Sequence, residues 1–343
     1  MSKLLLLLGN GFSIDFITSI NKSPDINLSN LFALGHTVKF PGDKRPGFLS
    51  HQHCPSLWTL GARPTNETRE SVELVEEIIT CANMFSGIKD LDTRLGQGIY
   101  IDAYMELISY IRHLFICYNE KVSNMEISSF VNDSCAEWGW KSFFAKELEK
   151  HEQTTFITYN YDLWLERVLS AMNIDFSIVP VCAKTPSSGV SIIKPHGSID
   201  FVMKNDQRQM FSISKQLDTN DIDIQSIECV KDDLASYRKS ILIPPSGESF
   251  RHNTASWAAK LRETAINAAI EMRDGDEVFV CGISYGYVDR RELDELFINL
   301  NSNVKLTLIN PTPPPSLNAV LVSLFKKYVV YTSSNVLGGN DCD

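Results

Sequence analysis

What the chain lacks narrows the field first. Its eight cysteines form no C-x2-C pair, so zinc-ribbon spacing is absent and the thiols read as reduced. Basic residues are outnumbered, 32 Lys+Arg against 42 Asp+Glu, for a formal charge of −10. A protein that coats nucleic acid needs clustered Lys/Arg to neutralise phosphates, so no direct nucleic-acid partner is expected. No apolar stretch approaches the ~18 residues of a membrane span. Leu4–Leu8 is too short for a signal h-region and runs straight into Gly9-Asn10-Gly11 with no small-residue cleavage site. A soluble, cytoplasmic protein without membrane contact is therefore expected. There is no internal repeat, and 43% apolar with 22% charged residues excludes disorder, a collagen-like chain and a coiled-coil rod. An acidic chain can still hold an anionic small ligand through backbone N–H groups.

The 343 residues allow two domains or one α/β domain with an insertion. Leu4–Leu8 is a short continuous apolar run ending at glycines, the pattern of a strand buried on both faces. Thr155–Tyr159, Phe176–Val181, Ile192–Lys194, Ile241–Pro244, Val278–Cys281, Val304–Ile309 and Tyr328–Tyr331 repeat it. Helical spacing lies between several of these runs: Ala265, Ala268, Ala269 and Met272; Leu293, Leu296, Phe297 and Leu300; Val320, Leu321, Leu324 and Phe325. Strand and helix in this alternation predict a parallel sheet covered by helices on both faces. Residues 66–150 differ. One amphipathic stripe runs through Val72, Val75, Ile78/Ile79, Ala82 and Phe85, and another through Tyr104, Leu107/Ile108, Ile111, Leu114/Phe115 and Tyr118. With a third helix over Trp138–Glu149, this segment reads as an all-helical insertion within a single domain spanning 1–343. Residues 21–66 read as a long loop region, and Gly338–Asp343 as a frayed tail.

The polar residues that follow the runs carry the chemistry. Gly9-Asn10-Gly11-Phe12-Ser13 could let a phosphate approach the backbone at a helix start, or be a plain strand-to-helix turn, since Ile14 replaces the third glycine of G-x-G-x-x-G. In Thr158-Tyr159-Asn160-Tyr161-Asp162, Asn160 or Asp162 could simply cap the next helix, or sit where ligands of open α/β sheets bind. His196, in Pro195-His196-Gly197-Ser198, is either an ordinary loop histidine or a proton-transfer group. Gly282-Ile283-Ser284 and Asn310-Pro311 repeat the arrangement. Five strand ends with small or polar residues on one edge outweigh the separate bland readings. Asn160 and His196 are expected at exposed strand ends.

This ordered set resembles the SIR2 (sirtuin-like) fold and, more closely, the SIR2-like proteins of bacterial antiphage defence; Ile243-Pro244-Pro245, Trp257 and Asp289 fit that branch as well. The Gly-Asn-Gly-Phe opening is also similar to that of AbiH abortive-infection proteins. The resemblance covers about 1–20 and 154–332 and implies a Rossmann-like α/β domain that uses NAD. It implies that Gly9, Gly11 and Ser13 line the NAD pyrophosphate, with Asn10 also among the cofactor-binding residues. Asn160 would hold the nicotinamide ribose and the attacking water, and Asp162 would contact the carboxamide. His196 would be the base acting on the ribose hydroxyls. Gly282 and Ser284 would bind phosphate or the adenine-side ribose, and Asn310 that ribose.

Two departures matter. The four-cysteine zinc module that follows the catalytic His of sirtuin deacylases has no counterpart, because only Cys229 and Cys281 follow His196 before the last strands end. Tyr161 replaces the Ile common in sirtuins, and no Asp-Phe-Arg follows the first glycine motif. The expectation is thus a metal-free NAD glycohydrolase that depletes NAD during phage infection, ahead of a sensor that binds NAD or ADP-ribose without turnover and of a protein deacylase. An enzyme that drains NAD must be restrained, so a homo-oligomer or a complex with a partner protein is expected, with contacts largely from residues 66–150.

Overall fold

The computed structural model describes residues 2–43, 45–86, 98–182, 189–204, 211–213, 222–237, 241–243, 256–286 and 290–338. Of the residues named above, Pro244, Pro245, Asp289, the side chain of Phe85 and the tail 339–343 lie outside this set. The strands are β1 (Lys3–Leu8), β2 (Gln153–Thr158), β3 (Ser177–Ile178), β4 (Val190–Ile193), β5 (Phe201–Met203), β6 (Ile227–Cys229), β7 (Glu277–Cys281), β8 (Lys305–Ile309) and β9 (Lys327–Tyr331). The helices are α1 (Asn10–Ser19), α2 (Pro55–Thr59), α3 (Thr68–Ser86), α4 (Gly98–Glu120), α5 (Asn124–Asn132), α6 (Gly139–Glu147), α7 (Trp164–Ala171), α8 (Ser256–Ile270), α9 (Arg290–Asn299) and α10 (Pro315–Leu324). They divide between two compact units, one of Met1–Ser23, Val122–Pro195 and Lys260–Asp343, the other of Pro24–Lys121 and His196–Ala259.

The first unit is a Rossmann-like α/β layer structure. Its seven-stranded sheet has the order β3-β4-β2-β1-β7-β8-β9 and is parallel throughout. The all-leucine run of β1 lies at the centre, paired with β2 on one side and β7 on the other, where both faces are covered and a continuous apolar run is required. Side chains alternate across it. Leu5 and Leu7 join Ile157, Val278, Val280, Leu306 and Leu308 in a core with Ala265 and Ala269 of α8, Leu293 and Phe297 of α9, and Leu317 and Leu321 of α10. On the opposite face Leu6 is in register with Phe156 and Phe279, whose rings meet Phe144 and Phe143 of α6 at 5.7 and 4.8 Å. Helix α5 is opened by a capping box between Ser123 and Glu126.

The second unit is mostly helical. Helix α4 is buried from Ala103 to Tyr118 on nearly every side, and the stripe of α3 buries Val75, Ile78, Ile79 and Ala82 while Val72 is exposed. Arg112 is fully buried and donates to the carbonyls of Leu234 and Tyr237. Glu106 accepts the N–H groups of Ser56 and Leu57 at the start of α2, and burial raises its carboxyl above the usual range.

Several expectations change in detail. The helices of 66–150 form, but α3 and α4 fall in the second unit and α5 and α6 in the first. Trp138–Glu149 shortens to Gly139–Glu147 followed by a 3-10 turn over Leu148–Lys150. Only Ser177–Ile178 of Phe176–Val181 pairs as strand. Of the run Ile241–Pro244, the described residues 241–243 do not join the sheet: Leu242 makes an isolated antiparallel bridge to Gly197, because this apolar run meets the backbone of the His196 loop instead. The antiparallel β5–β6 pair has no counterpart in the sequence reading.

Candidate functional site

In a parallel sheet all carboxyl ends share one edge, and ligands of open α/β sheets gather where the chain changes direction along it. That point here is β1. After β1 the chain builds β2, β3 and β4 on one side of it, and returns to build β7, β8 and β9 on the other.

The two central loops at this edge are locked backbone to backbone. Gly9 N–H donates to Cys281 O at 2.9 Å and Gly11 N–H to Gly282 O at 3.1 Å. Gly282 has φ +61°, and a Cβ there would lie 2.3 Å from Gly11 Cα. A Cβ on Gly9 would meet Gly282 O at 2.6 Å. Only glycine fits at such approaches, so these residues are needed for the turn itself, whatever binds there. Asn310 tightens the neighbouring loop: its Nδ2 donates to Ile283 O at 3.1 Å and its Oδ1 accepts Thr312 N–H at 3.0 Å. Ser284 is exposed, as is Asn10 at the start of α1.

Beside them lies a buried polar cluster. Ser13 is fully buried; its hydroxyl donates to Asp162 Oδ2 at 2.7 Å and accepts from Asn160 Nδ2 at 2.8 Å. Asn160 Nδ2 also donates to Gly9 O at 3.0 Å. A carbonyl can only accept, so the orientation of the amide is settled and both Nδ2 hydrogens are used. Among the described residues no donor meets Asn160 Oδ1, which remains the accepting end of the side chain. Asp162 Oδ1 accepts Trp164 N–H at 3.2 Å, so the capping reading of this segment also holds. Burial raises the Asp162 carboxyl to about 6, against the opposing pull of the Lys194 charge and the Ser13 hydroxyl.

Two members of this cluster escaped the sequence reading. Lys194, fully buried just past β4, donates to Asp162 O at 2.6 Å and to Glu166 Oε1 at 2.7 Å. Glu166, on α7, is itself 7% exposed. The available signal was a charge at each of two apolar positions: lysine closing Ile192-Ile193-Lys194, and glutamate between Leu165 and Val168.

The expected site residues are thus distributed as follows. Gly9, Gly11, Ser13, Asn160, Asp162, Gly282 and Asn310 meet at one edge of the first unit. His196 belongs to the second unit, where its carbonyl accepts Ile243 N–H at 3.0 Å and the next residue, Gly197 at φ +79°, abuts the backbone of Ile241. The expectation that Asn160 and His196 are exposed is corrected: they retain 9% and 1% of their accessible surface, because the turns carrying them fold into close polar and backbone contacts. Among the described residues no group of three or more His, Cys, Asp or Glu is placed to hold a metal ion, and no helix is long and apolar enough to cross a membrane.

No protein-family model matches the chain, and no curated protein matches it.

Proposed function

We propose that the protein is an NAD glycohydrolase of the SIR2-like kind, cleaving NAD to nicotinamide and ADP-ribose and depleting the cofactor in antiphage abortive infection. The observation that carries this reading is the clamped amide of Asn160 at the carboxyl edge of the central strands. Its NH2 end is tied to Gly9 and Ser13, and Oδ1 is left to accept a hydrogen bond from water or a ribose hydroxyl. The order of the motifs along the sequence, glycine turn, Asn160, His196, Gly282-Ile283-Ser284 and Asn310, supports the same assignment.

The chemistry asks little more. Breaking the nicotinamide–ribose bond develops oxocarbenium character on the ribose and releases a neutral leaving group, and water then adds to the anomeric carbon and gives up a proton. A positioned acceptor for that water and a base near the ribose hydroxyls serve both steps. Asn160 takes the first role and His196 the second, while Gly9, Asn10, Gly11, Ser13, Asp162, Gly282, Ser284 and Asn310 bind the dinucleotide. No metal is used. Restraint comes from assembly, as a homo-oligomer or with a partner protein, through residues 66–150.

The test is nicotinamide release from NAD by the purified chain, alone and with the product of a neighbouring gene, compared with Asn160→Ala and His196→Ala. Turnover lost in both folded variants supports the assignment. Saturable NAD binding with no nicotinamide from the wild type in either condition would replace it with a nucleotide sensor.

A further inference from the structure

Lys194 stands out among the buried groups of the first unit. It is a fully buried ammonium, and it spends its hydrogen bonds on the turn that carries Asn160 and on α7. Burying a charge is costly unless it is paired, and replacing a buried pair by apolar residues is often neutral or stabilising. Stability alone therefore gives little reason for Lys194 and Glu166 to be charged. Their geometry gives a better one. The ammonium holds the carbonyl of Asp162, and that residue's carboxylate holds Ser13, whose oxygen in turn receives Asn160 Nδ2. The chain of contacts runs from Lys194 to the Asn160 amide in three links, all within the first unit. Glu166 Oε1 is the counter-charge paired with Lys194 at 2.7 Å, while Glu166 Oε2 is buried without a hydrogen-bond partner.

We infer that Lys194 is a positioning residue that fixes the Asn160–Asp162 turn from beneath, with Glu166 as its counter-ion, so that Asn160 Oδ1 is presented in one orientation. Its consequence for turnover rests on the glycohydrolase reading; its consequence for the turn does not. Lys194 touches no substrate. A displacement of about 1 Å in a reacting group can cost 10²-fold in rate, so a loosened turn lowers kcat far more than it weakens NAD binding.

The decisive variant is the double Lys194→Met/Glu166→Leu, which removes both charges together and so avoids the unpaired ion that either single change would leave. It is compared with Glu166→Gln, which keeps an oxygen acceptor for the ammonium and leaves the bond to the Asp162 carbonyl intact. Melting temperature, hydrogen exchange of the peptide over 158–164, kcat and the Kd for NAD are measured on each full-length protein. Expected for the double variant are a melting temperature near that of the wild type, faster exchange confined to 158–164 and a kcat lower by about 10²-fold. Glu166→Gln should melt lower than the wild type, because Lys194 loses its counter-charge, while its kcat and its exchange over 158–164 stay within a few-fold of the wild type. A double variant that keeps wild-type exchange in 158–164, or wild-type kcat, overturns the inference. If the wild type releases no nicotinamide at all, the glycohydrolase reading falls, and exchange over 158–164 still decides whether Lys194 positions the turn.

Discussion

The two halves of the candidate site are built by opposite means. At the glycine turns, Gly9, Gly11 and Gly282 bring two loops together by having nothing in the way, and the contact is N–H to C=O with no side chain involved. In the cluster beside them, Ser13, Asn160, Asp162, Glu166 and Lys194 fill the space with charges and hydrogen-bonding groups that must satisfy one another. The first tolerates no added atom, and the second no missing one. A steric lock is indifferent to pH, whereas a network of buried ionisable groups is tied to its protonation state.

Substitutions should separate the two modes. The largest effect is expected at Gly282→Ala, which adds both a strained φ and a Cβ 2.3 Å from backbone that cannot rotate aside. A loss beyond about 4 kcal/mol, or failure to fold, should appear in denaturant titration, at equal size at pH 5 and pH 7.5. A wild-type midpoint would mean that the two turns are not locked as described. Lys194→Met follows, at about 3–5 kcal/mol, because it leaves Glu166 buried without its counter-charge; adding Glu166→Leu should recover most of that loss in the same titration.

Asp162→Asn sharpens the contrast through pH. The carboxyl titrates at about 6 in the folded chain, above its ordinary value, so the folded state binds the proton more tightly than the unfolded one. Asp162 therefore supports the fold most fully at low pH. That support is lost as pH rises through about 6, after which it is flat. Relative to Asp162→Asn, the wild type should lose up to roughly 3 kcal/mol between pH 4 and pH 7. A difference between the two that is constant with pH would refute the assignment. Asn160→Ala should cost about 1–3 kcal/mol, since it leaves the Gly9 carbonyl and the Ser13 hydroxyl each short of a donor, and should abolish nicotinamide release. The smallest effect is expected at Ser284→Ala. The residue is exposed, so stability should move by no more than about 0.5 kcal/mol, and a weaker NAD affinity measured by calorimetry would report ligand contact alone.

The glycine turns were readable in advance as turns, though not their lock on each other, and the ionic half was not readable. A glycine directly after a buried strand announces a tight turn or a close approach, because few other causes place glycine there. Asn160 and Asp162 were visible for the same reason, as polar residues bounding an apolar run. Lys194 was read only as the end of a strand, and Glu166 passed as one more charge on a helix, because each is ordinary without the other. Their 28-residue separation gives no sign that they form one buried pair. Asn160 was placed in the right turn with the wrong exposure, since burial depends on Gly9 and Ser13 arriving from β1 and α1.

The sequence by itself determined the parallel sheet and its order of strand and helix. Continuous apolar runs of four or five residues, such as Leu4–Leu8 and Val278–Cys281, suit strands covered on both faces, and the intervening 3.6-residue periodicity supplies the cover. It also determined which residues close the strands. The partition of residues 66–150 between two compact units, the diversion of Leu242 to Gly197 and the coupling of Lys194 to Asn160 were decided only by the tertiary structure. Such pairings join positions far apart in the chain, where no local periodicity records them and the burial of one group is set by the arrival of another.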